Sequence, residues 1–103
     1  MKKGDIVVVP FPFTDLSGVK LRPSVVLIES NPDIVVAFIT SKTKLSEPTL
    51  MIKATEINGL KTDSFLRLNK ITTIDKSIVY GRLGNLTEKE VHDMDVQLLQ
   101  ILK

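Results

Sequence analysis

One arginine and one threonine are the side chains of this sequence best suited to chemistry on a phosphate. Arg22 stands directly before Pro23, so its backbone is biased toward an extended conformation at the start of an apolar run. A planar guanidinium can hold a phosphate through two parallel hydrogen bonds, and its charge can stabilise a pentacoordinate phosphorus. Thr40 would add an oriented hydroxyl donor. The structural alternative is that Arg22 pairs with Asp15 or Glu29 while Thr40 lies at a strand edge.

The hairpin that would join these two residues is predicted by the order of apolar runs and turn formers. Residues 25–28 and 34–39 are apolar and rich in β-branched side chains, which is typical of strands. Residues 29–33 between them are dense in turn-forming types, so the two runs are predicted to pair as a hairpin. An antiparallel hairpin places the end of its second strand beside the start of its first. We therefore expect Thr40 and Ser41 to lie close to Arg22.

The chain before Arg22 is predicted to be a strand, an extended arm and a polar loop. Residues 6–9 are apolar, β-branched and without helical spacing, which favours a buried strand. Pro10 and Pro12 cannot donate to a ladder, so the chain is expected to leave the sheet there. Residues 14–18 combine types that bond their own backbone or tolerate positive φ, which predicts a turn before Lys20.

The rest of the chain is predicted to hold further short strands and one helix. Strands are expected at residues 49–52, 64–68, 71–75 and 78–84, with a loop at 42–48, a turn ending at Gly59 and a bend near Gly81 and Gly84. Short strands separated by turn signals are typical of a barrel or a sandwich. Thr87 and Glu90 form a capping box, which predicts a helix from there to about residue 102. The apolar stripe that should pack this helix on the barrel is Val91, Met94, Leu98, Ile101 and Leu102.

The composition excludes several classes of protein. The 103 residues fit one domain, residues 1–103, that is large enough to bury its own core. The chain has no cysteine, which excludes a disulfide framework and a thiolate metal site. Its apolar runs fall short of the ~18 residues that span a bilayer, and prolines interrupt the first run, unlike a signal peptide. We expect a soluble cytoplasmic protein without a membrane partner, and the net charge of +2 argues only weakly for a polyanionic one.

Histidine and metal chemistry find little support. His92 is the one histidine, and its acidic neighbours place it at the edge of the polar face of the predicted helix, where we expect no catalytic role. The sequence has no pair of histidines, and its carboxylates show no ligand spacing. We therefore expect no metal and no cofactor.

Four motifs in order give the sequence a family resemblance over nearly its whole length. They are Lys3-Gly4-Asp5-Ile6-Val7, Pro10-Phe11-Pro12, Leu21-Arg22-Pro23-Ser24-Val25-Val26 and Phe38-Ile39-Thr40-Ser41. In this combination and spacing the chain resembles the MazF/PemK-like toxins of bacterial toxin–antitoxin pairs. The resemblance implies a mainly β fold, an SH3-like small β-barrel with a C-terminal helix. It also implies a metal-independent endoribonuclease of the mRNA interferase type that cleaves single-stranded RNA, mRNA or tRNA, and inhibits growth.

The same resemblance assigns roles to residues and partners. In the family, the arginine of the R-P motif and the threonine that ends the third strand carry catalysis, and these positions match Arg22 and Thr40. The products would be a 2′,3′-cyclic phosphate and a 5′-hydroxyl. The protein would be a homodimer with RNA across the dimer face, and the disordered tail of a cognate antitoxin protein would block that groove.

Two features of the sequence depart from this pattern. Many family members carry a longer loop before the R-P motif with an acidic residue in a supporting role, whereas Asp15 is the only acid in the short loop here. A guanidinium does not give up its proton readily, so Arg22 is a poor general base. A non-catalytic protein of the same fold, a DNA gyrase poison or a nucleic-acid or protein-binding module, is the alternative. The pairing of Arg22 with Thr40 favours the enzyme.

Several other side chains are candidates for binding the RNA. Aromatic rings stack on splayed bases of single-stranded RNA, and lysines follow its phosphates. The candidates are Phe11, Phe13, Asp15, Lys20, Ser41, Lys42 and Lys44. The alternative for the two phenylalanines is that they plug the end of the barrel. Arg67, Lys70 and Arg82 would contact phosphate or the antitoxin, or else be ordinary solvated charges.

Overall fold

Six strands and one helix form the part of the chain that the computed structural model describes, residues 1–12, 19–42 and 49–103. The strands are β1 (Asp5–Pro12), β2 (Val19–Ile28), β3 (Asp33–Thr40), β4 (Thr49–Ile52), β5 (Ser64–Asp75) and β6 (Gly81–Asn85). A 3₁₀ turn (Lys76–Ile78) precedes β6, and the helix α1 (Glu88–Ile101) follows it. Within these residues, no helix has both the length and the apolar content that a membrane crossing requires.

The strands form one curled antiparallel sheet in the order β4-β5-β3-β2-β1-β6. The edges of this sheet approach each other where the turn after β4 meets β6, because the Asn85 N–H donates to the Ile57 carbonyl at 3.1 Å. Glycine is needed at this contact, since a Cβ on Gly84 would lie 2.0 Å from the Ile57 carbonyl oxygen. The turn ends as predicted at Gly59, with φ of +70°. The predicted fold class, mainly β with a C-terminal helix, is confirmed as a curled half-barrel.

The first strand was predicted to end at Pro10, but β1 continues to Pro12 and pairs with β2 from Ile6 to Pro12. The carbonyl of Val8 accepts from the Tyr80 N–H at 2.8 Å, so the backbone groups of Val8 face the β6 side of the sheet. Backbone direction alternates along a strand, so Pro10 and Pro12 also face that side. Pairing with β6 has ended at Val8, so neither proline removes a hydrogen bond from the sheet.

The two strands predicted at residues 64–68 and 71–75 are one strand, β5, with a large bulge between its halves. Ile39 of β3 pairs with Leu66, whereas Ala37 pairs with Ile71. One β3 residue, Phe38, therefore faces four β5 residues, 67–70. The break in the sequence pattern corresponds to this bulge instead of to a chain reversal.

The strand predicted at residues 78–84 begins later, at Gly81. The chain first makes the 3₁₀ turn, whose start is capped by the Asp75 carboxylate accepting from the Ser77 N–H at 2.8 Å. The predicted bend is present, because the β1–β6 register shifts by one residue between Gly84 and Arg82.

The helix begins at the predicted capping box. The Thr87 hydroxyl accepts from the Glu90 N–H at 3.2 Å, and the Glu90 carboxylate accepts from the Thr87 N–H at 2.9 Å. Met94 is fully buried, and Val91, Leu98 and Ile101 pack beside it on the core. Leu102 was predicted to join this stripe and does not: it is the C-cap residue and 76% exposed.

The sheet buries apolar side chains on both of its faces. The face under α1 holds the larger cluster, which consists of Ile6, Val25, Leu27, Ala37, Ile39, Ile52, Leu66, Leu68, Leu86 and Met94. The opposite face holds Val7, Val9, Val26, Ile34 and Val36, with Phe38 packed partly buried against them. Runs without polar alternation, such as residues 6–9, reflect this burial on both faces.

Candidate active site

The structure brings Arg22 and Thr40 together, as the hairpin predicted. Ser24 pairs with Phe38 between β2 and β3, and two further steps in the same register place Arg22 opposite Thr40. Both residues line the same two cavities. Arg22 lies inside β2 and pairs with Val9 of β1, so it is held within the sheet.

The space around this pair opens because β2 and β3 stop pairing at Ser24. The Val26 carbonyl accepts from the Gly4 N–H at 2.8 Å, so the backbone groups of residues 24 and 26 face β1, and those of Pro23 face β3. Proline has no N–H to donate. The β2–β3 ladder therefore ends at Ser24, because Pro23 cannot supply the next hydrogen bond. Arg22, which directly precedes Pro23, lies just beyond this end of the ladder.

Two cavities meet at Arg22 and Thr40. The first has a volume of about 300 Å³ and is lined by Arg22, Phe38, Ile39, Thr40, Lys42, Arg67 and Lys70. The second has a volume of about 400 Å³ and is lined by Val8, Leu21, Arg22, Pro23, Ile39, Thr40, Ser41, Gly59, Leu60, Lys61, Thr62, Ser64 and Leu83. Among the described residues, neither lining contains a carboxylate, and both contain basic side chains. This surface suits an anionic ligand with room on either side of the pair.

The hydroxyl of Thr40 is held in place by the backbone that follows it. Thr40 is 8% exposed, and its Oγ1 accepts a hydrogen bond from the Lys42 N–H at 3.2 Å. A hydroxyl has one proton to donate and two lone pairs. The bond from Lys42 uses one lone pair and leaves the proton of Thr40 available for a phosphate oxygen.

The remaining predicted site residues fall into three groups. Ser41 lines the second cavity and Lys42 the first, which places both beside the pair. Lys20 lies in β2 two residues before Arg22 and is exposed, outside both linings. The predictions for Phe13, Asp15 and Lys44 lie outside the described residues, as does the side chain of Phe11, whose backbone pairs with Lys20.

The sequence analysis did not identify Phe38 as a site residue. It also did not predict that the bulge residues Arg67 and Lys70 lie beside Arg22 and Thr40. Phe38 shares the face of Thr40, because alternate strand residues point the same way. This alternation could have predicted from the sequence that Phe38 lies beside Thr40. No local signal places Arg67 and Lys70 beside it, because their position depends on the register between β3 and β5.

Titratable groups elsewhere do not form a second centre in the described part of the chain. His92 is exposed on α1 and lines neither cavity. Hydrogen bonds from the backbone and side chain of Ser77 lower the pKa of Asp75, which caps the 3₁₀ turn. Within residues 1–12, 19–42 and 49–103, no three or more His, Cys, Asp or Glu side chains come together to hold a metal ion.

Known proteins resemble this chain in sequence and in fold. Residues 2–102 match the family described as PemK-like, MazF-like toxin of type II toxin–antitoxin system. A relative named probable endoribonuclease MazF, from Mycolicibacterium smegmatis, is 33% identical in an alignment 88 residues long that covers 81% of each chain.

Solved structures share the fold at lower sequence identity. The Mycobacterium tuberculosis toxin MazF-mt6 superposes with a TM-score of 0.77 at 18% identity, covering 95% of both chains. A mycobacterial endoribonuclease, solved in complex with its cognate antitoxin, has a TM-score of 0.77 at 13% identity and covers 99% of this chain and 94% of its own.

Proposed function

Because this chain belongs to the PemK-like, MazF-like toxins of type II toxin–antitoxin systems, we propose that it is an endoribonuclease that cleaves single-stranded RNA beside Arg22 and Thr40. The observation that carries the proposal is that both residues line two cavities that meet at this pair. An enzyme that cuts within a strand needs room for nucleotides on both sides of the scissile phosphate. The cavities offer that room, and their basic side chains suit a phosphate backbone.

The proposed reaction uses a nucleophile supplied by the substrate. The ribose 2′-oxygen attacks the adjacent phosphorus, a new O2′–P bond forms, and the P–O5′ bond breaks. The 2′-hydroxyl loses its proton to a base, and the departing 5′-oxygen gains one. The products are a 2′,3′-cyclic phosphate and a 5′-hydroxyl. Holding the 2′-oxygen in line with the leaving oxygen supplies much of the barrier reduction.

Arg22 and Thr40 have separate roles in this reaction. The guanidinium of Arg22 stabilises the extra negative charge on the pentacoordinate phosphorus through paired donors. The Thr40 hydroxyl, whose hydrogen is left available by the bond from Lys42, donates a hydrogen bond to a non-bridging phosphate oxygen. A guanidinium is a poor general base, so a different group accepts the 2′-hydroxyl proton.

Membership of the family supports a wider role. We propose a sequence-selective toxin of the cytoplasm that cuts mRNA or tRNA, lowers translation and arrests growth. It acts as a homodimer and is inhibited by a cognate antitoxin protein that covers the RNA groove. The relative solved in complex with its cognate antitoxin supports the last part.

A single deoxyribose tests the mechanism. Purified protein is incubated with mixed single-stranded RNA in EDTA, and the ends are mapped to find a cut. An RNA with deoxyribose at the nucleotide 5′ of that cut should resist cleavage and compete with the parent RNA. The matched control carries its deoxyribose one nucleotide further upstream and should be cut normally.

The outcomes separate the alternatives. Cleavage of the RNA that lacks the 2′-hydroxyl at the cut, or a 3′-hydroxyl product, would mean a water nucleophile and would overturn the mechanism. Loss of cleavage in EDTA that added metal restores would contradict metal independence. Growth arrest on expression without cleavage of any RNA, together with gyrase binding, would favour the non-catalytic alternative.

A further inference from the structure

We propose that Phe38, Arg67 and Lys70 form a subsite for one nucleotide next to the scissile phosphate. The base stacks on the Phe38 ring, and the two cations bind phosphates that flank it. This inference rests on the proposed function and adds to it a site that contributes affinity and selectivity on one side of the cut.

The bulge in β5 builds this subsite. Four residues of β5, 67–70, stand against the single β3 residue Phe38, so the β5 chain must arch out of its ladder with β3 there. Bulges of this kind re-aim side chains and are frequent beside active sites. Here the arch begins with Arg67 and ends with Lys70, and both line the 300 Å³ cavity together with Phe38.

The faces of the strands agree with this arrangement. Paired residues of an antiparallel ladder share a face, so Phe65 lies on the face of Thr40, and Arg67 follows two residues later. Phe38 is also on this face, since it lies two residues before Thr40. Its ring is half-buried against the apolar cluster of that face, and the same residue lines the cavity.

The chemistry of the lining fits a nucleotide better than an apolar or cationic ligand. Phe38 is the aromatic residue of the described lining, and four basic residues line the same cavity: Arg22, Lys42, Arg67 and Lys70. No carboxylate from the described residues lines this cavity. Stacking on an aromatic ring combined with cations on the phosphates is the usual mode of binding single-stranded nucleic acid. About 300 Å³ is at the lower end for ligand sites, which matches one nucleotide.

The two cavities differ, so the subsite lies on one side of the cut. The second cavity has no aromatic residue in its described lining, and its apolar side chains include Val8, Leu21, Leu60 and Leu83. Beside the shared Arg22 it has one basic residue, Lys61, in that lining. From the described linings, base stacking and paired phosphate contacts are thus expected for the nucleotide in the first cavity.

The first test compares Phe38→Leu and Phe38→Tyr. Binding is measured with the deoxy-substituted RNA, which is not cleaved, and turnover is measured with the parent RNA. Loss of one stacked base should weaken binding by about tenfold in Phe38→Leu, whereas Phe38→Tyr keeps the ring and should bind like the parent protein. The effect should fall on Kd and KM more than on kcat. Thermal unfolding of both variants reports whether the fold is intact.

A series of RNAs with one abasic position each locates the stacked base. In the parent protein, one position beside the cut should lose about tenfold in affinity when its base is removed. The same abasic RNA should lose little further affinity with Phe38→Leu. Independent losses at every position would overturn the assignment of a base to Phe38.

The second test addresses the phosphates through salt dependence. A lysine that contacts one phosphate of single-stranded RNA contributes about 0.7 to the slope of log affinity against log salt concentration. Lys70→Ala should reduce the slope by this amount, and Lys70 is exposed, so its replacement should not disturb folding. Lys89→Ala is the matched control, because Lys89 is exposed on α1, pairs with Asp93 and lines neither cavity.

The failure of the subsite is distinguishable from the failure of the proposed function. RNA cleavage by the parent protein, with unchanged affinity in Phe38→Leu and an unchanged salt slope in Lys70→Ala, would overturn the subsite alone. A parent protein that neither binds nor cuts RNA would overturn both. Weaker RNA binding by Phe38→Leu and a lower salt slope in Lys70→Ala, with normal behaviour of Lys89→Ala, support the subsite.

Discussion

At Arg22 the proposed chemistry depends on the planar guanidinium and not on positive charge alone. Arg22→Ala should lower kcat by about 100-fold to 1,000-fold, the usual cost of losing one transition-state donor. Arg22→Lys should also be poor, because an ammonium lacks the fork that matches a phosphate. Single-turnover cleavage of RNA measures both variants. Thermal unfolding is the control, and an unchanged cleavage rate in Arg22→Ala would remove the residue from the mechanism.

At Thr40 the hydroxyl and the β-branched shape can be separated. Thr40→Val keeps the shape but removes both the proton to be donated and the acceptor of the Lys42 N–H, so the rate should fall by about 100-fold. Loss of that hydrogen bond should cost about 1 kcal/mol of unfolding free energy. Thr40→Ser restores the hydroxyl and should recover most of the rate. If Thr40→Val cuts RNA as fast as the parent protein, the hydroxyl has no part in the reaction.

At the scale of elements, the contact between β6 and the turn after β4 holds the sheet in its curled shape. A Cβ added to Gly84 would lie 2.0 Å from the Ile57 carbonyl oxygen, and that oxygen already accepts the Asn85 N–H. Gly84→Ala should therefore destabilise the fold by about 1–3 kcal/mol, because the backbone itself must move. Urea unfolding measures the change.

Gly81→Ala is the matched control for this prediction. It lies in the same strand, but a Cβ there would meet no atom within 4 Å. Its replacement should leave stability unchanged or raise it by about 0.4–1 kcal/mol through the unfolded chain. Equal changes in unfolding free energy for the two substitutions would mean that the close approach at Gly84 does not contribute to stability.

At the scale of the whole molecule, the proposed homodimer makes stability depend on concentration. Partner binding stabilises the folded state by mass action, so the thermal midpoint should rise with protein concentration. Sedimentation equilibrium should give twice the 11.5 kDa mass of one chain. A monomer mass at every concentration, with a constant midpoint, would contradict the dimer.

The sequence by itself determined the features that depend on neighbours along the chain. The hairpin of β2 and β3 follows from two apolar runs around a turn, and that hairpin alone predicts Arg22 beside Thr40. The capping box at Thr87 likewise needs only residues three apart. The resemblance to a family added the fold class and the proposed chemistry. These signals are local or cumulative along the sequence, so no knowledge of distant contacts is required to see them.

Tertiary structure decided the features that depend on which strands end beside which. Pro10 and Pro12 stay in β1 because pairing with β6 has already ended at Val8. The sequence of β1 does not show where this pairing ends. The break near residues 69–70 became a bulge because β3 pairs with both halves of β5. Phe38 and Arg67 line one cavity because of that register. The sequence pattern gives the direction of each side chain, whereas pairing between distant strands decides which side chains share a cavity.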